Sequence, residues 1–140
     1  MKADTKKHIA QAKRNLKFLK STQEAFPEEY FEWKITIVFY CTLHLAKAYL
    51  YECFSVKTEN HEDIKSQLYK TNVKKHVGKY YRSLEVLCHN CRYNGFINED
   101  QWNKLNKLEF ETAIKRANEI NKYFKKKNVG VDFDLLSLIR

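Results

Sequence analysis

Four groups of side chains in this sequence are of kinds that do chemistry. Arg82 and His89 are seven residues apart, so on a helix they share one face, two turns from each other. An arginine and an imidazole placed there, with Lys75, Lys79 and Tyr93 nearby, are either plain solvated surface or suited to a phosphate or a symmetric copy of the same face. Cys88 and Cys91 form a Cys-x2-Cys pair, the start of a zinc or a redox site. Trp33, Tyr40, His44 and Tyr51 fall in a narrow angular band of one helix. Rings with polar tips can stack on bases while their N–H and O–H groups hydrogen-bond, or can be a buried set satisfied by neighbours. Of these, Trp33 is expected in the core. His61 lies just inside a helix start, where the positive end of the helix favours a neutral ring that can accept a proton or bond a ligand, or is an exposed bystander.

The cysteine pair falls away on elementary grounds. A structural zinc needs four ligands, and the remaining cysteines, Cys41 and Cys53, lie on one helix with about 18 Å of rise between them. A redox pair is activated at a helix N-terminus, whereas this one sits near a C-terminus, where the dipole opposes a thiolate. No metal and no cofactor is expected, and Cys91 belongs to the core as a free thiol.

The elements that must position these residues are helices. The chain has 140 residues, 44% hydrophobic and 14% aromatic, with three glycines and one proline. That is enough to bury a core and too few turn residues for a sheet, so the fold expected is all-α. Ile9, Ala12, Leu16 and Leu19 make one apolar stripe in a first helix over residues 4–20, with Lys6, Lys13, Lys17 and Lys20 outside it. Pro27, followed by Glu28 and Glu29, opens a second helix that runs to Phe54 and is apolar nearly all round, as the centre of a bundle would be. Asn60, with Asp63, caps a short third helix to about Lys70, and Asn72 caps a fourth. In the fourth, Val73, Val77, Tyr80, Leu84, Leu87 and Cys91 make the core stripe, and Asn94-Gly95 supplies the stop. Asn98 with Gln101 reads as a capping box for a fifth helix to about Lys127. The tail VGVDFDLLSLIR is too apolar to remain in water and should dock on the bundle or on a second subunit. The organisation expected is a compact antiparallel bundle of four to five helices over residues 1–128, with a docked tail over 129–140.

Charge narrows the partners. Lys and Arg total 26 against 17 Asp and Glu, a net +9 that favours nucleotide, nucleic acid or an acidic protein. The longest apolar run, residues 35–54, contains His44, Lys47 and Glu52, and no cleavable N-terminal pattern is present. Neither a membrane span nor a signal peptide is expected, and the location expected is cytoplasmic.

Several short motifs together resemble the HEPN family of bacterial and archaeal helical bundles, in its HEPN-like branch. They are Trp33, Phe39-Tyr40, Leu43-His44 and Ala48-Tyr49-Leu50, then Asn60-His61 at a helix start, then Tyr81, Leu84 and Arg92-Tyr93. The resemblance covers roughly residues 5 to 125. It implies a four- or five-helix bundle of a kind that often dimerises. Many members are metal-independent ribonucleases with an Arg-x4–6-His motif at the dimer cleft, and Arg82-x6-His89 has that spacing. In such an enzyme His89 would move a proton between the ribose 2′-hydroxyl and the leaving oxygen, Arg82 would stabilise the charged transition state, and lysines of the first and fourth helices would grip the backbone. The branch's own residues, Tyr40, His44, His61, Arg92 and Tyr93, imply instead a pocket without chemistry, with arginine for a phosphate and Tyr and His for a base, or else a polar network that fixes the second, third and fourth helices. The function expected is binding of nucleotide, RNA or single-stranded nucleic acid by a homodimer. The alternatives are a toxin-type endoribonuclease using Arg82 and His89, or an interaction module with an antitoxin or a nucleotidyltransferase-type partner.

Overall fold

The computed structural model describes residues 1–71, 73–93 and 99–140, with residues 92, 93, 99, 101 and 105 described by backbone alone. The described residues form α1 (Ala3–Ala25), α2 (Phe31–Phe54), α3 (His61–Lys70), α4 (Lys75–Tyr93) and α5 (Glu99–Lys126), followed by a short 3-10 turn over Leu135–Ile139. The all-α bundle is as expected. No helix among the described residues is long and apolar enough to cross a membrane.

Each helix buries what its pattern offers. α1 is amphipathic and buries one stripe, Thr5, Ile9, Ala12, Leu16 and Leu19. α2 is apolar on most sides and packs against α1, α4, α5 and α3, with Ile35, Val38, Ala46 and Leu50 all but inaccessible to water. It is the central helix, as its sequence predicts.

The entry to α2 differs from expectation. Pro27, Glu28 and Glu29 lie in a turn, Tyr30 is left-handed at φ 61°, and the helix starts at Phe31. The cause is Lys34, which is fully buried. Its ammonium donates to the Phe26 carbonyl and lies 4.5 Å from the centroid of the Phe31 ring. Phe31 in turn packs on Phe110 of α5 at 5.7 Å. This clamp holds the chain end of α1, which runs on to Ala25, against the first turn of α2, so the intervening residues must turn. Burial lowers the Lys34 ammonium to about 8, against the pull of Glu28, Glu29 and Glu32.

α3 is capped as its sequence predicts. The Asp63 N–H donates to Asn60 Oδ1 at 2.9 Å, and Asp63 Oδ2 accepts from the Glu59 N–H at 3.1 Å. Asn72, Asn94-Gly95 and Asn98, and the side chain of Gln101, lie outside the described residues, and so do the caps expected of them.

In α4, Val77, Leu84 and Cys91 are buried as expected, but Tyr81 and Cys88 complete the stripe, with Tyr80 and Leu87 half-buried at its edge. The helix is turned toward α2: Tyr81 packs on Phe39 at 5.7 Å, and the Cys88 thiol lies 3.7 Å from the Thr36 hydroxyl.

The tail docks on its own bundle. Asn121 of α5 holds Val131 by two hydrogen bonds of 2.9 Å, accepting from its N–H and donating to its carbonyl. Val129, Val131, Leu135 and Leu138 join the core. Gly130 passes so close to α5 that a Cβ there would lie 2.4 Å from Lys125 Cγ and 2.7 Å from its backbone nitrogen.

Candidate functional site

α3 and α4 run antiparallel and leave a cleft of about 300 Å³ between them. Lys65, Leu68 and Tyr69 recur at i, i+3 and i+4 on α3. Lys75, Gly78, Tyr81 and Arg82 face them from α4, and Val73 closes the loop end. Leu68 and Tyr81 are buried in its floor, and Tyr69, at 83% exposure, stands on the rim.

The charges around this cleft are not equivalent. Lys65 is engaged at the far end, 2.6 Å from Glu62 and 3.0 Å from Glu85, and these contacts raise its ammonium above its ordinary value. Among the described residues neither Lys75 nor Arg82 has an ion-pair partner, and the first turn of α4 contains no acid. The uncompensated positive charge thus lies in the first two turns of α4, where the helix dipole adds to it.

Near the cleft, three buried polar atoms have no hydrogen-bond partner among the described residues: the Tyr81 hydroxyl, Glu85 Oε2 and His61 Nδ1. Burial, then the charge of Glu85 and the neighbouring Tyr40, push the Tyr81 phenol well above its ordinary value. His61 packs against Phe39 at 5.2 Å and Tyr40 at 6.2 Å. The fold therefore brings Tyr40 and His61 together at the junction of α2, α3 and α4, with Tyr40 38% exposed.

His44 has a different partner. Its Nδ1 lies 3.1 Å from Nδ1 of His8 on α1, and the two rings stack with centroids 5.3 Å apart. One ring must donate and the other accept, so the contact needs at least one neutral imidazole. Burial, then His8 and Lys47, lower His44 to about 4, and burial with Lys47 lowers His8. The pair ties α1 to α2.

The remaining residues singled out in the sequence fall as follows. Arg82 lines the cleft, and His89 is exposed two turns further along α4. Arg92 and Tyr93 belong to the last turn of α4 by backbone, and their side chains lie outside the described residues. Trp33 is 57% exposed and not in the core as expected, because α1, α4 and α5 cover the other sides of α2 while its Trp33–Tyr40 band stays open. Cys88 and Cys91 are buried, and burial, with Glu109 and Cys88 nearby, raises the Cys91 thiol to about 11, which suppresses the thiolate.

Sequence reasoning missed His8, Lys65, Tyr69 and Gly78. For α3 a signal existed: Lys65 and Tyr69 flank the buried Leu68 on one helix face. His8 sits one position from the buried Ile9, at the edge of the α1 stripe, and nothing in its own helix announces His44.

Compared with known families, residues 5–127 match the sequence model of the HEPN domain. No curated protein matches the chain.

Proposed function

The chain belongs to the HEPN family, and from that membership we propose that it binds nucleotide or single-stranded nucleic acid at the cleft between α3 and α4. The observation that carries this is the pairing of two uncompensated cations, Lys75 and Arg82, with the tyrosines Tyr69 and Tyr81 around a cavity of about 300 Å³. A planar guanidinium grips phosphate oxygens in a fork, an exposed phenol ring stacks on a base, and the net charge of +9 draws a polyanion to the surface. Tyr40 on α2 and His61 at the start of α3 are further candidates beside the cleft, with Arg92 and Tyr93. His44 is assigned to the His8 pair, not to the ligand. The same reading has the protein act as a homodimer, with an antitoxin or a nucleotidyltransferase-type protein as candidate partner.

The test is fluorescence anisotropy with labelled RNA and single-stranded DNA at two salt concentrations, alongside a thermal-shift panel of nucleotides. Salt-sensitive binding that weakens in Arg82→Ala and Lys75→Ala is the result expected. Binding of no oligonucleotide, with no nucleotide raising Tm, overturns the reading.

A second reading is metal-independent RNA cleavage. It is favoured by the exposure of Arg82 and His89 on one face of α4, where a second copy could bring two such pairs across one groove. His89 would carry the proton between the 2′-hydroxyl and the leaving oxygen, and Arg82 would neutralise the phosphorane-like charge. RNA cleavage in EDTA that disappears in His89→Ala supports it, and equal cleavage by that variant rejects it.

A further inference from the structure

Gly78 stands in α4 where the fold has no need of a glycine. No glycine among the described residues has a positive φ, so no left-handed turn requires it. A Cβ at this position would meet Val73 Cγ1 at 3.7 Å, an ordinary van der Waals distance, and nothing closer among the described residues. The contrast is Gly130, where Lys125 and Asn121 leave no room for any side chain. A glycine inside a helix forgoes stability that alanine would supply, through the greater freedom of the unfolded chain. At Gly78 neither conformation nor close packing compensates for that loss.

What the missing side chain leaves open is the cleft. Gly78 lines it together with the apolar Leu68 and Val73, and Lys75 and Arg82 lie about one helical turn to either side. An apolar strip between two cations, beneath an exposed tyrosine ring, matches one planar ring carrying one anionic group. The volume, about 300 Å³, is at the small end of ligand pockets and suits a single unit, not a stacked run.

We infer that Gly78 is the aperture of a one-nucleotide subsite: the base lies on Leu68, Val73 and Gly78 against Tyr69, and its phosphate is held by Lys75 and Arg82. This rests on the reading that the cleft binds nucleotide, and it adds the ligand's size and the residue that admits it. A free nucleoside monophosphate and one nucleotide of a strand share this chemistry.

The experiment compares wild type, Gly78→Ala, Gly78→Leu and Arg82→Ala in the full chain. Each is titrated with the four nucleoside monophosphates and with 12-mer RNA, and Tm and helical circular dichroism are recorded in parallel. Gly78→Ala should keep or raise Tm while weakening binding. Gly78→Leu should weaken it by roughly tenfold or more, the scale on which an overfilled pocket discriminates. Should the leucine variant fold poorly, the alanine variant, whose methyl has room, still reads the effect. Loss for both monophosphates and RNA assigns the subsite to free nucleotides as well as strands; loss for RNA, where monophosphates do not bind even the wild type, assigns it to a strand. If both Gly78 variants bind like wild type while Arg82→Ala does not, the aperture is wrong and the binding cleft stands. If the wild type binds neither ligand, both fall.

Discussion

His8 on α1 and His44 on α2 meet Nδ1 to Nδ1 at 3.1 Å, a contact that survives only while at least one ring is neutral. Its position between the two longest-packed neighbours of the bundle makes it a gauge of their pairing, and acid should pull it apart.

The sign follows from His44, lowered by burial, His8 and Lys47 from 6.5 to about 4. Between those values the unfolded chain binds more protons than the folded one, so the contribution of His44 to stability falls as pH drops through that window and is level above it. Urea unfolding from pH 7.5 to 4 measures the slope. His44→Gln should flatten it, and an unchanged slope in that variant would remove His44 as the cause.

Lys34 predicts a gain at the opposite end of the pH scale. Its ammonium is lowered from 10.5 to about 8 by burial. The unfolded chain therefore holds the extra proton between those values, and stability should rise across them as pH increases. Lys34→Met, which keeps the length of the side chain, should abolish that rise in a denaturation series from pH 7 to 10.

The docked tail has two weak points. Asn121→Ala removes both hydrogen bonds to Val131 and leaves a buried N–H and carbonyl unpaired, a loss of roughly 2–3 kcal/mol. Gly130→Ala drives a methyl into Lys125 and should cost about 1–3 kcal/mol. Urea midpoints measure both. Wild-type stability in either variant would mean that the tail is not held as described.

Arg82 and His89 can be separated by what each loses. Arg82→Ala should weaken oligonucleotide binding across sequences and lower the slope of log affinity against log salt by about one. His89→Ala should leave that slope nearly intact, and on the second reading it would remove RNA cleavage alone. Equal effects of the two on binding would argue against distinct roles.

Much of the fold is legible in the sequence because its causes are local. The Asn60 cap, the single stripe of α1, the all-round apolar character of α2 and the withdrawal of Cys91 into the core follow from spacing along one helix, and each is found in place. The candidate site is only half legible. Arg82 and His61 could be picked by residue type and position, and the resemblance to the HEPN family pointed to the same helices.

What only the tertiary structure decided is everything that depends on two helices at once. Lys34 moved the start of α2 because Phe26 and Phe110 come from other elements. A small rotation of α4 toward α2 exchanged Tyr80 for Tyr81 in the core, and the open side of α2 put Trp33 in water. His8 found His44, and Lys65, Tyr69 and Gly78 became one cleft with Arg82, through the packing of α1 on α2 and of α3 on α4. A helix's own periodicity states which face is apolar, but the partner that face meets, and the angle at which they meet, is settled by side-chain volumes contributed from distant parts of the chain.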